Sequence, residues 1–128
     1  MDARTIIIHG LADAQATIAR DPEVILRSAP GAVGYAGALW WRELMRILRG
    51  EQGWRGLALL DCGGQAAYAV EAIHCGVTHL IFDRDSRWFD EISNLAVAAG
   101  GVVWEGRDGT ARPRDSSSFG PQTSVAPS

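Results

Sequence analysis

Residues that can act as acids, bases or nucleophiles follow several apolar runs of this sequence. Asp61 and Cys62 follow the run 57–60, His9 follows the run 5–8, and Asp83 follows the run 78–82. A histidine near a cysteine can act as its base, and the helix dipole stabilises a thiolate at a helix start, which lowers its pKa. The candidate catalytic residues are therefore His9, Asp61, Cys62 and Asp83.

Glycines and small polar residues at similar positions indicate an anion site. Gly63 and Gly64 directly precede a predicted helix, and Gly31 precedes another. Free backbone N–H groups at a helix start bind phosphate and carboxylate groups. Two further polar residues lie at strand ends, because Ser28 ends the second predicted strand and Asp85 follows the fourth. The candidate ligand-binding residues are thus Ser28, Gly31, Gly63, Gly64 and Asp85.

Each of these residues also has a structural interpretation, and the sequence leaves both open. An acid at the end of a strand often caps the next helix, which would account for Asp61 or Asp85. Cysteine is most often a small buried apolar side chain, which would account for Cys62. Glycines spaced along one helix, at 31, 34 and 37, would let that helix pack closely against a sheet.

Metal and phosphoacceptor chemistry find little support in the sequence. His9, Asp61 and Asp83 offer imidazole and oxygen ligands of the kind that magnesium or manganese accept, but no spaced ligand motif joins them. Asp61 ends the third predicted strand, where receiver domains carry their aspartate, yet the acidic pair and the lysine that receivers need are missing. We predict no metal site, and the sequence identifies no cofactor.

Composition excludes several function classes. All twelve basic residues are arginine, so Schiff-base chemistry, a Walker A lysine and a lysine base are excluded. A net charge of −3 argues against nucleic acid as a partner. No apolar run approaches the ~20 residues of a membrane span, and residues 1–10 lack a signal-peptide pattern, so a cytoplasmic location is expected.

Apolar runs alternate with helical patterns along the chain, which predicts a single α/β domain with a mostly parallel, five-stranded sheet. Gly and Pro separate the elements, and the run 57–62 is apolar on both faces, as in a central strand. The predicted strands are 5–9, 23–28, 57–62, 78–83 and 102–104, and the predicted helices are 11–20, 32–49, 65–74 and 87–99.

Two strand orders fit this alternation. One is the doubly wound, flavodoxin-like order 2-1-3-4-5, and the other is the order 1-2-3-4-5 of half a β/α barrel. We prefer the first, because Arg27 in the middle of the second strand suits an edge position. The pattern Ala-x-x-Ala-x-x-x-Gly-Val, strand, Asp over residues 69–83 resembles one unit of phosphate-binding β/α barrels.

The predicted domain covers residues 1–105, followed by a flexible tail, 106–128, rich in Pro, Ser and Gly. Because the tail stands where a fifth helix would follow, one sheet face lacks cover, and we expect a homo-oligomer or a partner protein. The preferred function is association, with a small phosphate- or carboxylate-bearing ligand at the edge where the strands end. The alternative is a small lysine-independent lyase or hydrolase that uses His9, Asp61 and Cys62.

Overall fold

The structure, a computed structural model, describes residues 5–107 and 110–113. Strands and helices alternate through most of the chain, as the apolar pattern predicts. The strands are β1 (Thr5–Ile8), β2 (Ile25–Ser28), β3 (Ala58–Asp61), β4 (His79–Asp83), β5 (Val102–Arg107) and β6 (Thr110–Pro113). The helices are α1 (Leu11–Arg20), α2 (Ala32–Ala36), α3 (Ala38–Gly50), α4 (Ala66–His74) and α5 (Phe89–Ala98).

The sheet follows the order of the chain, β1-β2-β3-β4-β5-β6. The first five strands are parallel, which confirms the predicted α/β fold class, and β6 pairs antiparallel with β5. The preferred order 2-1-3-4-5 is therefore corrected, because β2 lies between β1 and β3. The observed order of the first five strands is the one weighed as the half-barrel alternative.

The error in strand order comes from Arg27. A charged side chain in the middle of a strand suits an edge position better than an inner one, which is why the sequence favours β2 at an edge. In the structure Arg27 is buried within the sheet and bonds to Asp61, 34 positions away on β3. The pair neutralises the charge inside the sheet, so β2 needs no edge position.

The five helices share one core on one face of the sheet. This core contains Ile18, Val33, Leu44, Ala69 and Ile92 from the five helices, together with alternate side chains of the strands. Successive right-handed crossovers that always step in the same direction place every helix on the same side. The other face of the sheet is covered by no helix within the described residues, and we call it the helix-free face. It carries a second buried cluster of strand residues, Ile25, Leu59, Ile81 and Trp104, with Leu57, which directly precedes β3, packed against them.

The predicted long helix over residues 32–49 is two helices in the structure. Gly37 separates α2 from α3 with a φ of +86°, a conformation that L side chains rarely adopt. Its N–H still donates to the Val33 carbonyl, which closes the last turn of α2. After this interruption α3 buries Trp41, Leu44 and Leu48 in the core, while α2 lies near β3.

The end of the domain differs from the prediction within the described residues. The strand predicted over 102–104 extends to Arg107, and β6 lies inside the segment predicted as a tail. Residues 1–4, 108–109 and 114–128, which carry the rest of that prediction, lie outside the described residues. Among the helices that the structure describes, none has both the length and the apolar character to cross a membrane.

Candidate functional site

The parallel strands all end at one edge of the sheet, the carboxyl edge, and begin at the opposite one, the amino edge. Ser28 and Asp61 end β2 and β3, Asp83 ends β4, and His9 follows β1, so these candidates share the carboxyl edge. This follows directly from the parallel pairing of consecutive strands. The hydrogen bonds decide which of them act together.

Asp61 is 5% exposed, and both of its carboxylate oxygens and its N–H have hydrogen-bond partners. Its Oδ2 accepts a hydrogen bond from Nη2 of Arg27 at 2.8 Å, and its Oδ1 accepts one from the N–H of Gly63 at 2.9 Å. Its own N–H donates to Oγ of Ser28 at 2.9 Å. Asp61 therefore joins Ser28, Arg27 and Gly63 into one group. It acts as the counterion of Arg27 and as the hydrogen-bond acceptor for the turn at Gly63, which agrees with the structural interpretation of this acid.

Arg27 is the functional candidate that sequence reasoning missed. The side chain is on the helix-free face, and the residue is 2% exposed. Nη2 bonds to Asp61, but Nε and Nη1 are buried without a hydrogen-bond partner among the described residues. Since a guanidinium does not deprotonate in proteins, it keeps its charge and its unused donors. The signal in the sequence was an arginine in the middle of an apolar strand.

Cys62 has the properties of a core residue. It is fully buried in the helix-side core, and its Sγ contacts the Leu60 carbonyl at 3.8 Å. Burial first, and the negative charge of Asp61 second, raise the pKa of the thiol to about 12. The direction is opposite to the lowering that the sequence predicted, because desolvation outweighs any effect of the following helix. The thiol is protonated at neutral pH.

His9 lies apart from the Asp61 group. Its backbone N–H donates to Oδ2 of Asp13 at 3.0 Å, and the residue lines a cavity of about 140 Å³ beneath α2 and α3, which also contacts Ala29 and Trp40. Neither Asp61 nor Cys62 lines that cavity. In the described part of the chain, no hydrogen bond joins His9 to Cys62, so the expected Cys–His pair is not formed.

Asp83 and the glycines form two adjoining turns. Oδ1 of Asp83 accepts the N–H of Asp85 at 2.9 Å, and the N–H of Asp83 donates to the Gly63 carbonyl at 2.8 Å. A Cβ on Gly64 would lie 3.7 Å from Oδ2 of Asp83. The carboxylates of Asp61 and Asp83 thus flank the Gly63–Gly64 turn, and their negative charge disfavours an anion on its amides.

Two further predictions depend on the same edge. Gly31 directly precedes the five-residue α2 and has a φ of +72°. Glycine adopts this left-handed conformation readily, so the tight turn before α2 explains why a glycine stands here. Over residues 5–107 and 110–113, no group of three His, Cys, Asp or Glu side chains is arranged to hold a metal ion. Asp61, a member of the conceivable metal set, has both oxygens engaged with Arg27 and Gly63.

A larger cavity, of about 170 Å³, lies at the amino edge, where no site was predicted. Arg42 and Arg49 of α3 line it together with His79 at the start of β4. The carboxyl edge thus carries one bonded group around Asp61 and a separate cavity at His9, and the amino edge carries a cationic pocket.

No protein-family model matches this chain, and comparison with curated proteins and with solved structures also gives no match.

Proposed function

We propose that this domain is a non-catalytic binding module that works by association and holds a small phosphate- or carboxylate-bearing ligand at the carboxyl edge. Arg27 carries the proposal, because Nε and Nη1 are buried without partners among the described residues. A buried donor left unpaired costs about 1–3 kcal/mol, and more when it is charged. An anion that accepts from either of these nitrogens recovers part of that cost through a charge-assisted hydrogen bond.

Arg27 replaces the glycine amides as the main anion contact in this proposal. The Gly63 N–H is already used by Asp61, and Asp83 lies against Gly64. Arg27 lies on the helix-free face, so the ligand would enter from the side of the sheet that no described helix covers. Ser28 contributes indirectly, because its Oγ fixes the backbone of Asp61.

The enzyme alternative loses its main supports. A hydrolase or lyase of the proposed kind needs a thiolate on Cys62, and the raised pKa of that buried thiol opposes it. It also needs a free carboxylate at Asp61, whose two oxygens are engaged. His9 contacts neither of them through any hydrogen bond that the structure describes. Binding is therefore the better-supported function.

Association is the second part of the proposal. Large apolar side chains stand exposed on α3, on α5 and just before α5, with Leu39 64% exposed and Trp88, Leu95 and Val97 also accessible. Burying such side chains against another chain is favourable by roughly 25 cal/mol per Å² of apolar surface. We propose a homo-oligomer or a protein partner, in the cytoplasm, with neither nucleic acid nor membrane as a partner.

Thermal unfolding in phosphate tests the anion site. Asp61→Asn keeps the acceptor for Gly63 but removes the counterion of Arg27, so added phosphate should take its place. We expect phosphate to raise the Tm of Asp61→Asn more than that of the wild type, at constant ionic strength set with chloride. The variant Arg27→Met/Asp61→Asn, which lacks the cation, should show no specific effect.

Calorimetric titration of the wild type with phosphate tests the same anion site without relying on variants that must fold first. Saturable binding with a Kd tighter than about 10 mM is expected, a free energy of a few kcal/mol. Arg20→Met, which removes one exposed positive charge on α1, is the control and should bind as the wild type does. Equal binding by Arg27→Met/Asp61→Asn, or none by the wild type, would contradict the proposal.

Sedimentation tests association on its own. At micromolar concentration we expect a dimer or a larger species of the full chain. A stable, well-folded monomer that sediments alone at all such concentrations would exclude self-association. The variant Leu39→Ser removes an exposed apolar side chain of α3, and Ala16→Ser on α1 is its matched control. A smaller assembly for Leu39→Ser alone would show that α3 takes part in the association.

A further inference from the structure

The cavity at the amino edge, which we call the amino-edge pocket, has the build of a second binding site. It has a volume of about 170 Å³ and lies between α3, the segment 75–78 that follows α4, and the beginnings of β3 and β4. The proposed anion contact on Arg27 belongs to the opposite edge of the sheet. Nothing in the proposed function uses this pocket.

The wall of the amino-edge pocket that faces the core is apolar. Trp41 is 1% exposed, Ala58 is buried, and Met45 and Val77 are half-buried. An apolar cavity of about 150 Å³ can hold a benzene ring. The pocket therefore has room for an apolar group of about that size, with the Met45 thioether and the Val77 side chain as contact surfaces.

The rim of the pocket is cationic. Arg42 and Arg49 are seven positions apart on α3, two helical turns, so both lie on the same side of the helix. None of the described residues that line the pocket is acidic. The nearby acid on α3, Glu43, pairs instead with Arg46 on an exposed face. The positive charge at the rim is thus left without a carboxylate in the lining.

Arg49 is held in place before any ligand arrives. Its Nη1 donates to the carbonyls of Trp54 and Gly56, and the guanidinium stacks 4.8 Å from the centre of the Trp54 ring. A guanidinium fixed by such contacts loses less side-chain freedom when it binds an anion. Arg42 is exposed and completes the rim two turns earlier on α3.

His79 adds a neutral donor at the start of β4. Its Nδ1 accepts a hydrogen bond from Nε1 of Trp104 at 3.2 Å, so the neutral ring carries its proton on Nε2. Burial first, and the charge of Arg49 second, lower the pKa of His79, which keeps the ring neutral at pH 7. A neutral N–H can donate to a bound oxygen without a change in protonation.

We propose that the amino-edge pocket binds a small organic anion that has a compact apolar body and a single carboxylate. The apolar body lies against Met45 and Val77, and the carboxylate bonds to Arg42 and Arg49. Arginine forks match the two oxygens of a carboxylate, and charge-assisted bonds of this kind are about twice as strong as neutral ones. Inorganic phosphate lacks the apolar body, and a neutral ring lacks the charge, so both bind weakly.

Cys75 gives a direct readout of occupancy. It lines the pocket and is half-buried, whereas Cys62 is fully buried with its pKa raised to about 12. A thiol reagent should therefore modify one cysteine of the native chain rapidly. Benzoate is the probe for the pocket, and it should slow the modification of Cys75 in a saturable way.

The experiment compares benzoate with benzyl alcohol and with inorganic phosphate on the full chain. We expect benzoate to protect Cys75 at a concentration at least tenfold lower than either, a readout that phosphate bound at the carboxyl edge does not affect. Arg42→Gln should weaken benzoate binding about tenfold, the effect of losing one charge-assisted hydrogen bond. Arg46→Gln, four positions further along α3 and outside the pocket lining, is the matched control and should bind benzoate unchanged.

Three results would overturn the proposal. Benzyl alcohol that binds as well as benzoate would show that charge has no part in recognition. Equal weakening by Arg42→Gln and Arg46→Gln would show a diffuse charge effect instead of a site. Unchanged modification of Cys75 in saturating benzoate would put any binding elsewhere. Arg42 and Arg46 are both exposed, so their glutamine variants should fold. Arg27→Met/Asp61→Asn changes only the carboxyl edge. Where this variant folds, it should bind benzoate as the wild type does, which separates the two sites.

Discussion

At the scale of single residues, the buried pair of Arg27 and Asp61 determines how the carboxyl edge can work. Both residues are almost fully buried, and their closest atoms are 2.8 Å apart. Taking two charges out of water is expensive, and the pair repays that cost only through close contact and further hydrogen bonds. Asp61 has those bonds, whereas Arg27 has unused donors. The arginine is thus the incompletely satisfied half of the pair.

Breaking the pair should cost more than removing it. Arg27→Met leaves the Asp61 carboxylate buried and unpaired, and we expect the free energy of unfolding to fall by about 3–5 kcal/mol. Arg27→Met/Asp61→Asn removes both charges and should recover most of that loss. Urea unfolding at pH 7 measures both. If the losses of Arg27→Met and Asp61→Asn simply add in the double variant, the two residues do not act as a pair.

His79 should make stability depend on pH. The pKa of His79 in the folded chain is lowered from its usual 6.5, by burial and by Arg49. Above pH 6.5 the ring is neutral in both states. As the pH falls below that value, the unfolded chain takes up a proton that the folded chain does not bind. Folding stability therefore decreases through this window.

Urea unfolding of the wild type and of His79→Gln between pH 7.5 and pH 5 measures this effect. The amide oxygen of the glutamine can still accept the hydrogen bond from Nε1 of Trp104. The variant should lose less stability on acidification than the wild type, because its side chain does not titrate. His74→Gln, an exposed substitution at the end of α4, is the control and should follow the wild type. Parallel pH profiles for the wild type and His79→Gln would contradict the prediction.

At the scale of elements, the turn from α5 into β5 is packed against the start of β4. A Cβ on Gly101 would lie 2.5 Å from the backbone oxygen of Thr78, closer than real Cβ atoms approach. The same oxygen accepts the N–H of Val102 at 2.7 Å, which begins the pairing of β5 with β4. Since the obstacle is backbone, it cannot rotate away. The glycine is therefore required by contact and not by its φ.

Two glycine substitutions should have opposite signs. Gly101→Ala should lower the free energy of unfolding by about 1–3 kcal/mol, the usual cost of overpacking. Gly50→Ala, at the last position of α3 with open space around its Cα, should raise it by up to about 1 kcal/mol through helix propensity. Thermal or urea unfolding of both variants measures the difference. A neutral Gly101→Ala would mean that β4 and β5 can separate at little cost.

Local patterns predicted most of these elements, and tertiary contacts decided the rest. The run 57–62 is apolar on both faces, and β3 is indeed an inner strand. The strand order depended on a partner for Arg27 that lies 34 positions away, which no local pattern reveals. The break at Gly37 was also hidden, because a glycine inside a helical pattern is often tolerated. The amino-edge pocket depends on Arg49 and His79 meeting across the fold.

At the scale of the whole molecule, the two faces of the sheet differ in cover. The five helices that the structure describes pack on one face, and the buried cluster on the other comes from β2 to β5 and the residue before β3. If a second copy of the chain completes the molecule, its stability depends on concentration, since association favours the folded state by mass action. We expect the Tm to rise by several degrees over a hundredfold increase in protein concentration. A Tm that does not change with concentration would contradict self-association.

The order of the strands in the sheet has a consequence for how the chain reaches its native state. Among the described residues each strand pairs with the next one along the chain, so each strand pair closes a single connection, the longest of which joins β2 to β3 and contains α2 and α3. Low sequence separation between contacting residues favours fast folding. The sheet can therefore grow one strand at a time, with each new βα unit adding to an edge already formed. The Arg27–Asp61 bond fastens β3 to β2 across the longest of these connections, so it stabilises the strand pair whose closure costs most.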